Sequence, residues 1–183
     1  MKRAWTSRVA ALALLCASVS CAKYPTSIFV RLSADPEVRA AIRTAVVRTY
    51  NGDDTNMMAQ PISEQILPLT SMASEYTFLV TRTTTNKRVR IEVEVYTTSQ
   101  PQGGRDPGAI LSYLRSLMPG MGITNDRVIV TWVEDTALQV SMQLRNACTA
   151  VGGRSMPCPP TQRCTSTGTC AEATQNNAST YNY

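Results

Sequence analysis

Histidine is absent from all 183 residues. It is the side chain that titrates near neutral pH and the commonest metal ligand. Ser-His and Cys-His nucleophilic sites therefore fall away, together with the most frequent kind of metal centre. Aromatic side chains make up only 6% of the chain. Long apolar runs are missing too. The clearest, over 9–19, has 11 residues, against about 20 for a bilayer span, so no segment reads as a permanent transmembrane helix. No cysteine lies between Cys21 and Cys148. A strong basic excess is also lacking. The chain has 18 basic and 13 acidic residues, net +5, and Lys2, Arg3 and Arg8 lie in its first 20 positions. Without them the balance is 15 against 13, or +2, which is too even for a nucleic-acid partner to be expected.

What is present begins with those three cations. Behind them comes the apolar run VAALALLCASV, then Ser18-Val19-Ser20 ahead of Cys21. A charged start, an apolar core and small residues beside a cut are the three parts of a secretory signal, here 1–20. Ser18-Val19-Ser20-Cys21 resembles the lipobox of bacterial lipoproteins, with Ser18 standing where that family has Leu, Val or Ile. The resemblance implies that Cys21 is acylated and becomes the first mature residue. It implies attachment to a lipid bilayer through an N-terminal acyl anchor, in which each buried CH₂ contributes about 0.8 kcal/mol. Ala22 stands where an inner-membrane retention aspartate would be, so the resemblance implies the outer membrane. Cleavage after Ser20 or Ala22 would instead give a soluble secreted protein. Cysteine parity favours the lipid, because cutting before Cys21 leaves five cysteines, an odd number.

The mature chain reads as a tether (21–26), one core-bearing domain (27–147), a cysteine-bearing tail (148–171) and a disordered C-terminus (172–183). Ile28, Val30 and Leu32 alternate with Arg31 and Ser33, which predicts a half-buried strand. Asp35-Pro36-Glu37 starts a helix, with the aspartate as cap. The helix is expected to run into a strand over 45–50, and 51–75 reads as a long irregular connection with a turn of helix or a short strand in it. Segments 76–83 and 88–97 are expected to form a hairpin. In the second of these, Val89, Ile91, Val93 and Val95 alternate with Arg88, Arg90, Glu92 and Glu94, the pattern of an antiparallel sheet with one wet side. A loop (98–108), a short amphipathic helix (109–118) and a second hairpin (127–133 with 137–145) complete the expectation. The fold class predicted is mainly β, an antiparallel β-sandwich with one or two short helices and a small disulfide-rich tail.

Cys148, Cys158, Cys164 and Cys170 lie in a Pro- and Gly-rich segment. Their spacings lack the close pairs of zinc sites, and an exported chain meets an oxidising compartment, so two disulfides are expected, with three connectivities open. The segment PCPPTQRCTSTGTCAEA, together with ADPEVRAAIRTAVVRTY and RVRIEVEVYT, resembles the surface lipoproteins of myxobacterial-type bacteria. That resemblance implies a small β-sandwich on a lipid anchor, and carries over only Cys21 and the four tail cysteines. By analogy with other small cysteine modules, the expected pairing alternates, Cys148 with Cys164 and Cys158 with Cys170.

No catalytic or cofactor motif appears, and no cofactor is expected. Ser20-Cys21-Ala22-Lys23 matches a Ser-x-x-Lys pattern in form but straddles the cleavage point. Glu92 and Glu94 share one strand face about 7 Å apart, yet Arg88 and Arg90 share it too, which reads as a solvated, salt-bridged surface. Asn51-Gly52-Asp53-Asp54 offers oxygen ligands of the kind calcium takes but reads as a polar turn. Arg82, Lys87, Arg88 and Arg90 read as dispersed surface charge. The function expected is a non-enzymatic envelope lipoprotein with a binding or structural role, facing an envelope protein or glycan partner. The alternative is a secreted carbohydrate-binding or peptidoglycan-associated accessory protein, with Trp132 or Tyr96 stacking on sugar. Strand phase places Trp132 with Val128 and Val130, toward a core.

Overall fold

A computed structural model describes residues 26–56, 59–69, 75–96, 124–149, 158–174 and 178–180. The expectations for the signal segment, Cys21, the loop at 98–108 and the helix at 109–118 concern residues outside these.

The first strand, β1 (Ser27–Ala34), buries Ile28, Val30 and Leu32 as its period of two requires. Helix α1 (Pro36–Ala41) has proline in its first turn and Glu37 beside the N-terminal dipole. It ends where Ile42 turns extended, and Val38 and Ile42 enter the core. Asp35 does not cap it with its side chain. Asp35 N–H donates to Leu144 O at 2.9 Å. That holds its carboxylate against the segment 143–146, where it accepts from Asn146 N at 2.8 Å and Gln143 Nε2 at 3.0 Å. The expected cap is thus a clamp between distant segments. The chain continues as β2 (Thr44–Asn51), β3 (Ser63–Pro68), β4 (Glu75–Thr81), β5 (Arg88–Tyr96), β6 (Thr124–Thr131) and β7 (Ala137–Leu144). Strand β3 is a short strand within the 51–75 connection, one of the two elements expected there.

Two four-stranded sheets result, ordered β4-β1-β7-β10 and β3-β2-β5-β6, where β10 is Ser179–Thr180. Pairing is antiparallel except for β1 with β7, which run parallel with Ser27 opposite Ala137. One apolar cluster joins them, with Val30, Phe78 and Val140 from the first sheet against Val47, Val93 and Val128 from the second. The fold is a mainly β sandwich.

Neither predicted hairpin forms. β4 pairs with β1 while β5 pairs with β2 and β6; likewise β6 and β7 belong to different sheets. The links 82–87 and 132–136 are arches that cross from one sheet to the other. Alternation tells which face of a strand is buried and nothing about which strand lies beside it, so the pattern is the same in both arrangements. Arg82 shapes the first arch by donating to the carbonyls of Thr84, Thr85 and Asn86. The second turns at Asp135, whose φ is 52°, and Trp132 N–H donates to Lys87 O at 2.9 Å, joining the arches.

The cysteine tail is part of the sandwich rather than an appendage. Strands β8 (Gln162–Cys164) and β9 (Cys170–Glu172) form a ribbon, and Ile129 N–H on the edge of β6 donates to Ala173 O at 2.9 Å. Beyond it, β10 extends the other sheet from β7. Where a disordered C-terminus was expected, Ala173 and Thr174 thus bridge to the edge of β6, and Ser179 and Thr180 join the sheet of β7. The tail has backbone donors and acceptors of its own to satisfy, and the open edges of β6 and β7 offer partners for them.

The facing of β5 has a direct test. Val93 is 0% exposed at the centre of the core, whereas Leu79 on the outer side of β4 is 47% exposed. Val93→Asp buries an unpaired carboxylate at a cost of several kcal/mol, comparable with the whole stability of a domain, and should abolish cooperative urea unfolding. Leu79→Asp should leave the unfolding midpoint nearly unchanged.

Candidate functional site

Among the described residues, the outer face of the β3-β2-β5-β6 sheet carries most of the buried charge. Glu64, Arg48, Glu92 and Arg127 fall in one register row across the four strands, alternating in sign. Arg48 Nε donates to Glu64 at 2.7 Å, and its Nη1 reaches Glu94 at 2.7 Å. Arg127 lies 3.4 Å from Glu92. Arg90 stacks over the Tyr50 ring at 4.3 Å and donates to Asp54 O at 2.5 Å. This is the face that alternation marks as wet, and the structure closes it: Glu94 is 1% exposed and Arg48, Arg90 and Arg127 are buried. Part of the closure is visible directly, since Arg127 Nη1 donates to Cys158 O at 2.9 Å and to Pro159 O at 2.6 Å. Long side chains on an outer face can be buried when a later segment lies over them, which a single strand's pattern cannot reveal.

Electrostatics follow from that closure. Burial by itself would depress the Arg48 guanidinium; hydrogen bonds to Glu64 and Glu94 outweigh it and raise its pKa. Burial, then the Glu92 carboxylate, pushes the Tyr50 phenol up to about 12. Burial and Glu94 push Tyr96 up as well. Both glutamates of β5 are engaged by guanidinium groups, so they offer no free acid and base pair.

A second charged cluster went unread in the sequence. Asp126 is 1% exposed. Its Oδ1 accepts from Arg127 N at 2.9 Å and Arg163 Nε at 3.1 Å; its Oδ2 accepts from Gln143 N at 2.8 Å and Arg163 Nη2 at 2.5 Å. One carboxylate thereby joins β6, β7 and β8. Burial raises its pKa, against the opposing pull of Arg163. The signal was there in principle: Asp126 is in phase with Val128, Val130 and Trp132, which makes it an acid pointing inward.

The other sequence candidates are dispersed. Asn51 and Asp54 close local turns by accepting from Asp53 N at 3.2 Å and Asn56 N at 2.8 Å, and Asp53 pairs with Arg88 at 2.8 Å. Gly52 is required by closeness, since a Cβ there would lie 2.6 Å from Arg88 Cβ. Among the described residues no three acidic or cysteine side chains converge on a point where an ion could sit. Trp132 is 9% and Tyr96 3% exposed, so neither ring offers a stacking platform for sugar. A small pocket between the arches, lined by Tyr50, Thr83, Thr84, Arg88 and Trp132, has room for about one water molecule. The four tail cysteines pair as Cys148–Cys164 and Cys158–Cys170, with Cα separations of 6.0 and 5.7 Å. Such a bridge typically contributes about 2–4 kcal/mol. Compared with protein-family models, curated proteins and solved structures, the chain finds no match.

Arg48→Ala strands two carboxylates among buried groups and should cost about 3–5 kcal/mol in urea unfolding. Arg31→Ala, which breaks the exposed pair with Glu75, should leave the midpoint in place and serves as the control. The raised Tyr50 pKa gives an alkaline signature. Its contribution is intact below pH 10 and is lost as pH rises toward 12, because the unfolded chain releases that proton first. In Tyr50→Phe the fall in stability over that window should be shallower.

Proposed function

We propose that the mature protein is a non-enzymatic lipoprotein of the bacterial envelope, held in the outer membrane by an acylated Cys21, with a binding or structural role. The observation that carries this reading is cysteine pairing. Cys148–Cys164 and Cys158–Cys170 account for four of the six cysteines. Cys16 lies in the segment that export would remove, which leaves Cys21 as the odd cysteine of the mature chain. Thioether linkage to lipid gives that thiol a chemical role in an oxidising compartment. The charged leader, the lipobox-like Ser18-Val19-Ser20-Cys21 and the resemblance to myxobacterial-type surface lipoproteins support the same reading. The lack of histidine and the mutual pairing of the buried carboxylates and guanidinium groups support a role without catalysis. The end of the sandwich where the two arches meet is a loop surface that could receive an envelope protein or glycan.

Metabolic labelling with a fatty-acid probe and partitioning into the detergent phase should both depend on Cys21. Labelled, membrane-bound Cys21→Ser protein would overturn the anchor.

A further inference from the structure

The two disulfides share one geometric property. Cys164 and Cys170 face each other across the β8–β9 ribbon, yet neither bonds to the other. Cys164 reaches Cys148, in the 3-10 turn that follows β7, so this bridge fastens the ribbon to one sheet. Cys170 reaches Cys158, whose carbonyl is held by Arg127 of β6, so the second bridge fastens it to the other sheet. Arg163, next to Cys164 on β8, delivers Nε and Nη2 of its guanidinium to the two oxygens of Asp126. A ribbon of two three-residue strands has little stability alone, so the bridges are what place that arginine.

We propose that the tail is an oxidation-dependent latch. Closing Cys148–Cys164 and Cys158–Cys170 seats Arg163 on Asp126 and completes the sandwich, and opening them withdraws Arg163 from a carboxylate that stays inside. Each closure removes two electrons and two protons from a thiol pair and passes them to the disulfide of a dithiol–disulfide oxidoreductase, which becomes a dithiol. Dithiothreitol reverses the reaction, with its own two thiols becoming a cyclic disulfide. The biological use of the latch rests on the export reading: the chain stays open among reducing cytosolic thiols and closes after translocation. The latch itself does not depend on where the protein resides, or on Cys21.

The test is a cycle on the full processed chain in detergent, with or without dithiothreitol and with or without Arg163→Ala. All four states are melted in trimethylamine N-oxide at a concentration that keeps the reduced chain folded. Reduction should lower the melting temperature by about 10 °C. Arg163→Ala should lower it by several degrees in the oxidised protein and by nothing further in the reduced one, because the arginine has already left. A reduced protein that melts with the oxidised one, or an Arg163→Ala effect of equal size in both states, would overturn the latch. Fatty-acid labelling of Cys21, read separately, tests the anchor.

Discussion

The buried carboxylate of Asp126 is the constraint on which the sandwich depends, because three segments from distant parts of the chain meet there. β6 supplies the acid, β7 a backbone N–H and β8 a guanidinium. Each donor is needed, since an ionised carboxylate removed from water is costly unless its lone pairs are taken up. The requirement runs both ways. A folded core without the tail would contain a poorly compensated charge, and a tail without the core would have no site for Arg163.

The same logic governs the row Glu64, Arg48, Glu92 and Arg127. A closed charged face adds little net stability over an apolar one of equal volume, because desolvation offsets the attraction. Its contribution is register. Sliding β3 or β6 by one residue would set Arg48 or Glu92 against the wrong neighbours and turn Leu67 or Val128 outward, and both errors are penalised together. This holds β5 in place along its length even though it has no sequence-adjacent partner in its sheet until β6.

The interior was legible in the sequence wherever one strand could be read alone. Ile28, Val30 and Leu32, the valines of β5 and the phase of Trp132 all lie where alternation places them. The helix start at Pro36 and the entry into β2 were legible as well. The alternating pairing of the tail cysteines was expected by analogy and is found. What escaped were other properties shared by distant segments: the arches mistaken for hairpins, the closure of the outer face, and the use of Asp35 and Asp126 as clamps. Asp35 is a strong cap by local rules, but one donor near the end of β7 and one just past it compete for the same carboxylate. The tail was misjudged for the same reason. Its turn-rich composition describes local backbone, whereas its place is set by the unpaired edges of β6 and β7.

Strand β1 sits at the centre of its sheet, between β4 and β7. Its parallel partner begins more than a hundred residues further along the chain. Ribosomes make proteins from the N-terminus, so β1 appears well before β7 and has to wait for it. During that interval Ile28, Val30 and Leu32 have no sheet to enter, and early closure onto β4 alone would expose them on one flank. Dependence on distant pairing slows folding and lengthens the time apolar strands stay uncovered. The architecture therefore favours a chain that is escorted until complete over one that folds as it emerges.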